Sequence, residues 1–145
     1  MLGVNKGGVV MVRFKDTITI FNRLKKTNGI IEYNKIVIEK ALWFDGVSST
    51  IQKTGLVDLN AKTIYIPRKQ AFNAEYILPE SYERLTEGTG YFTINNGDYV
   101  GLGNITLGQN ETPQGYKNRL GTLYEIKSVN DYRMGINQHF EIIAD

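Results

Sequence analysis

Short runs in which apolar and polar residues alternate recur along this chain, each bounded by Gly, Asn, Asp or Pro. That pattern constrains the fold more than any other feature. Period two places alternate side chains on opposite faces of a strand, so it cannot settle as an amphipathic helix. Thr17 to Phe21 is the first run, and residues 33–44, "YNKIVIEKALWF", form the second. Thr63 to Ile66 is a third and stops at Pro67, which has no N–H to give a ladder. Tyr91 to Ile94 and Asp98 to Val100 flank Asn95-Asn96-Gly97, and the runs Leu123–Val129 and Gln138–Ile143 close the chain. About six to eight short strands with turn residues between them predict an all-β protein, a small barrel or sandwich with long inserted loops.

Helix signals are sparse, and at most one short helix is expected. Residues 79–86, "PESYERLT", have Pro at the start and Glu early, enough for two turns before Gly88. Residues 47–55 and 107–121 read as long polar loops, a type often kept for function. Residues 1–15, with three glycines, read as a flexible arm, and 16–145 as a single domain. The 145 residues are enough for a sizeable core without staples, and the absence of cysteine rules out disulfides and thiolate–metal sites. No apolar run approaches the ~20 residues that span a bilayer, and Val9 to Val12 is too short for a secretory signal. No membrane partner is expected. The net charge of +2 is uneven. Residues 1–69 carry twelve Lys/Arg and five Asp/Glu, net +7, whereas residues 70–145 carry five and ten, net −5. This bias is either a solvated surface or a polarised subunit that meets an acidic partner.

The glycine-rich stretch 88–103, "GTGYFTINNGDYVGLG", is where a phosphate-gripping loop would be sought. Such a loop needs glycines between a strand and a helix. Here β-formers follow, and Asn96-Gly97 reads as a tight hairpin turn. No catalytic constellation is legible, and neither enzyme activity nor a cofactor or metal is expected. His139 is the sole histidine and reads as a strand residue with a satisfied hydrogen bond. Glu80, Glu83 and Glu87 read as a solvated helix face, Asp45 and Asp58 as turn caps, and Ser48-Ser49 lacks a nucleophile-elbow setting. Trp43 and Phe44 read as core, with an interface anchor the alternative. The basic clusters Arg23-Lys25-Lys26 and Arg68-Lys69 either guard strand edges or contact DNA phosphates or an acidic neighbour.

The order of several segments resembles a family of small structural proteins of tailed bacteriophages of Gram-positive hosts, the head–tail connector or minor-capsid type. The segments are "DTITIFNR", "ALWFDG", "GLVDLNAKTIYIPR", "GTGYFTINNGDYVGLG" and "YEIKSVNDYRMGINQHFEIIA", and the similarity covers roughly residues 16–145. Residues 1–15 depart from the pattern. The resemblance implies a head-closure (stopper) subunit: a β-barrel forming a homo-oligomeric ring below the portal and adaptor. It would close the DNA channel in the virion neck and offer a platform to the tail. Implied partners are other copies of the chain, the portal–adaptor complex, tail-terminator or tail proteins, and packaged double-stranded DNA by non-specific contact. The chain would be made in the host cytoplasm. On this reading the small polar loop Gly46, Val47, Ser48, Ser49, Thr50, Ile51, Gln52, Lys53, Thr54 and Gly55 faces the channel, with Lys53 its charged residue. Alternatives are a tail-terminator ring and a lone nucleic-acid-binding barrel of the OB type.

Overall fold

A computed structural model of the chain describes residues 2–4, 10–46 and 61–145. Six long strands form the body: β3 (Asp16–Lys25), β4 (Ile31–Asp45), β5 (Lys62–Pro67), β8 (Tyr99–Leu102), β9 (Tyr124–Tyr132) and β10 (His139–Ala144). They close into a barrel in the order β10-β5-β4-β3-β8-β9, every neighbour antiparallel. Closure leaves none of the six with an unpaired edge. Within the N-terminal segment, β1 (Leu2–Val4) and β2 (Val10–Val12) pair with each other, apart from the barrel ladder.

The alternation seen in the sequence fills the barrel. Ile18, Ile20, Ile36, Ile38, Ile64, Ile66, Val100, Ile126, Phe140 and Ile142 are buried in one cluster. A register shift between Asp16 and Ile18 turns β4 so that Ala41 joins that cluster and Trp43 packs against it. Phe44, next along the strand, is therefore on the outside and 54% exposed, so only Trp43 of that pair belongs to the core.

Because neighbours alternate in direction, β3, β5 and β9 all finish at one end, here the upper end. The turn 26–30, the excursion 68–98 and the hairpin tip 133–138 lie there. Gly46, at which β4 ends, and the excursion 103–123 lie at the lower end. The upper excursion contains the short pair β6 (Glu75–Tyr76) and β7 (Tyr91–Phe92), parallel to each other, and α1 (Pro79–Tyr82). It sends Phe92 and Ile94 into the barrel cluster, with Phe72 packed on Phe92 at 5.0 Å between ring centroids. The upper mouth is thereby plugged.

Three sequence expectations need correction. Asn95 to Asp98 is a tight turn, with Asp98 N donating to Asn95 O at 3.2 Å and Gly97 at φ 90°. It does not join a hairpin, because β7 pairs with β6 whereas β8 pairs with β3 and β9. Second, the described residues hold two helices, not one. Residues 107–121, expected to be loop, contain α2 (Pro113–Leu120). Thr112 caps it by accepting from Gly115 N at 3.1 Å, Pro113 begins it, and Gly121 ends it in the left-handed region. Third, the expected helix at 79–86 is one turn, Pro79–Tyr82, followed by looser turns.

Candidate functional site: a basic cleft and a braced hairpin tip

The upper end carries two features of functional interest. The first is a cleft of about 780 Å³ between the outer end of β3 and the α1 region, lined among others by Arg23, Lys25, Lys26, Tyr82, Arg84 and Asp98. Its floor is a buried polar network. Asp98 is 3% exposed; its Oδ1 accepts from Arg23 N at 2.9 Å, and its Oδ2 accepts from Asn22 Nδ2 at 2.9 Å and Asn95 N at 3.2 Å. Asn22 also grips the backbone of Thr93, donating to its O at 2.7 Å and accepting from its N at 3.1 Å. One amide therefore fastens the excursion to β3. Burial pushes the Asp98 carboxyl up to about 6, against the opposing pull of the Arg23, Asn22 and Asn95 donors.

The rim of the cleft is positive. Lys26 forms an ion pair with Glu32 at 3.2 Å and donates to the Thr86 carbonyl. Arg23, Lys25 and Arg84 form no ion pair among the described residues. Glu83 and Asp98 are the acids in the lining. The expected cluster Arg23-Lys25-Lys26 thus lies on one cleft, joined by Arg84, which sequence reasoning missed. Arg84 is 61 positions from Arg23, and no local signal connects them.

The second feature is the β9–β10 hairpin tip. Met134 is 89% and Ile136 84% exposed. The base beneath them is held on both strands. Asp131 takes two hydrogen bonds from Arg68, both at 2.7 Å, and one from Arg133 at 2.7 Å. Burial pushes the Asp131 carboxyl up, but these arginines outweigh it and hold it below the usual range. The Arg68 guanidinium also lies over Phe140 at 4.5 Å and Tyr76 at 5.3 Å. Tyr132 stacks on His139 at 4.8 Å, and His139 Nδ1 meets Asn137 O at 2.7 Å. Arg68 is therefore committed to bracing the hairpin and is not a free basic contact. Exposed Lys69 beside it forms no ion pair among the described residues.

The expected channel loop is reached only at its first residue. Gly46 accepts from Thr63 Oγ1 at 2.8 Å. Val47 through Gly55, with Lys53, and also Asp58, lie outside the described residues. Gly46 leaves the lower end, so the loop starts at the opposite end from the basic cleft. Asp45, read from the sequence as a turn cap, instead ends β4 and accepts from Trp43 Nε1 at 3.0 Å while pairing with Lys62 at 3.4 Å. Glu80, Glu83 and Glu87 are exposed, though only Glu80 is in the helix. No helix of the described residues is long and apolar enough to cross a membrane.

No curated protein and no solved structure matches the chain. A family of unknown function, DUF6751, matches residues 13–145, from just before β3 to the last residue, and so takes in the whole barrel. The protein therefore belongs to the DUF6751 family.

Proposed function

We propose that this protein is a non-enzymatic structural subunit of the neck of a tailed bacteriophage. In this reading it forms a ring below the portal and adaptor, closes the DNA channel and presents a platform to the tail. The order of segments that resembles the connector family motivates the reading. The observation that carries it is the hairpin tip. Two large apolar side chains project into solvent from a base braced by Arg68, Asp131, Arg133 and the Tyr132–His139 stack. Exposed apolar residues on a rigid support suit contact with a protein neighbour, because little ordering entropy remains to be lost on docking. A closed barrel plugged by Phe92 and Ile94 has no lumen of its own, so in this reading the channel runs between subunits.

The test is to add purified protein to DNA-filled, tailless heads and to image the necks. A ring directly beneath the adaptor, with DNA retained against nuclease, is expected. Density at the end of the tail tube instead would favour a tail terminator, and no density in either place would sink the reading. Met134→Asp with Ile136→Asp should abolish ring density while leaving thermal unfolding of the free subunit unchanged, since neither side chain belongs to the core.

A further inference from the structure

We infer that the upper-end cleft is a binding site for the phosphate backbone of duplex DNA, with Arg23 and Lys25 of β3 and Arg84 of the α1 region contacting phosphates along its rim. The proposal deepens the reading above by placing its DNA contact at the upper end, away from the loop that begins at Gly46.

Three observations identify the ligand. The first is charge. Three cations from two elements converge on one concavity without an ion pair among the described residues, and Lys26 adds a fourth that is shared with Glu32. The second is the floor. The Asp98 carboxylate sits below the rim, held by three N–H donors. Its charge opposes an anion that inserts deeply, such as a phosphate monoester, but not a chain of phosphates lying across the mouth. The third is the scarcity of accessible rings. Single-stranded nucleic acid binds on exposed aromatic faces, yet Tyr82, the aromatic residue of the lining, is 1% exposed and its hydroxyl is engaged by Asn34 at 3.0 Å. Cations without stacking surfaces read backbone rather than base, so the contact is independent of sequence.

The network beneath explains how the cations keep their spacing. Arg23 is fixed by its own N–H on Asp98. Arg84 follows α1, whose Tyr82 is anchored to Asn34 of β4, and the same excursion is fastened to β3 through Asn22 and Thr93. Both sides of the rim thus rest on β3 and β4.

The experiment measures binding of a fluorescent mixed-sequence DNA duplex to the full chain by anisotropy, across a salt series. With three phosphate contacts, affinity should fall about 40-fold between 50 and 200 mM salt. Arg84→Glu and Lys25→Glu should each weaken binding by about tenfold and flatten the salt dependence by about one contact. Lys15→Glu, the same charge change at the lower end, should leave binding unchanged. Circular dichroism of each variant checks folding, and a milder pair, Arg84→Gln and Lys25→Gln, should show the same order with smaller losses. Absence of duplex binding by the wild type at 50 mM salt would overturn the proposal, as would equal binding by the wild type and Arg84→Glu. A poly-glutamate peptide that displaces the duplex at equal concentration would also overturn it, in favour of an acidic protein partner. Sedimentation of the same samples separates the two readings. A chain that forms rings without binding duplex refutes the cleft and spares the ring, and a monomer that binds duplex does the reverse.

Discussion

The excursions 68–98 and 103–123 both leave the barrel and return to it, yet they are held in different ways. The lower one lies against the outer face of the barrel and is tied to β3 by Thr19, whose Oγ1 donates to Gly103 O at 2.7 Å and accepts from Ile105 N at 2.9 Å. Ile105 and Leu123 are buried with Phe21 and Tyr99, and Leu107 and Tyr116 pack onto them. Arg119 forms two hydrogen bonds with Glu111, and Lys117 donates to the Asp145 carbonyl. The upper excursion plugs the barrel mouth with aromatic side chains but is tied to β3 through a few buried polar groups, and it leaves Arg84 facing solvent across a cleft. The cations of the lower excursion are thus spent within the chain, Arg119 on Glu111 and Lys117 on the Asp145 carbonyl. The upper excursion is anchored by its buried rings and by Asn22 and Asn34, and its Arg84 is left without an ion pair among the described residues.

The largest effect should come from Asn22→Ala. This change orphans the Thr93 N–H and carbonyl and removes one donor from Asp98, all in buried surroundings. A loss of about 3–4 kcal/mol is expected in denaturant unfolding. Hydrogen exchange should rise first in 92–98, with 113–120 still protected. Uniform loss of protection would show that the two excursions are not held independently.

Asp98→Asn probes the anchor of the upper excursion through pH. The Asp98 carboxyl is pushed up to about 6 in the folded chain, from an ordinary value of 3.8. Between these values the folded state binds more protons than the unfolded one, so this group's contribution to stability grows as pH falls from about 6 to about 4. Relative to Asp98→Asn, the wild type should gain on the order of 2–3 kcal/mol over that window. A difference that stays constant from pH 7 to pH 4 would show that burial does not control this carboxyl.

Gly101→Ala tests the lower excursion. An added Cβ would meet Ile105 Cδ1 at 2.1 Å and Thr122 O at 3.1 Å. The packing of 105–123 on β8 must shift, at a cost of about 1–3 kcal/mol, and the duplex binding proposed for the cleft should be unchanged. Loss of DNA binding here would mean that the two ends communicate. The smallest effect is expected from Thr112→Ala, which removes the cap of α2 and should cost about 1 kcal/mol, seen as faster exchange at Gly115 and Tyr116.

Much of this molecule can be read locally. Each barrel strand overlaps an alternating run, because period two is a property of neighbouring residues and needs no knowledge of partners. The turn at Asn96-Gly97 was legible for the same reason, since glycine accepts φ 90° there. The α2 helix was legible in principle: Thr112-Pro113 and Gly121 are start and stop signals, masked by Gly115 and a polar sequence that buries little. What the sequence could not decide was which runs become neighbours. Pairing β3 with β8 rather than β7 with β8, and closing the ring at β8–β9, depend on contacts between residues far apart in the chain. The same limit governs the site. Arg23 and Arg68 look alike as basic residues at strand ends, and only the fold places Asp131 against Arg68 while leaving Arg23 on the lining of an open cleft that Arg84 also lines. Alternation and turn chemistry set which residues form strands, whereas the fate of each charge was settled by the group that folding brought next to it.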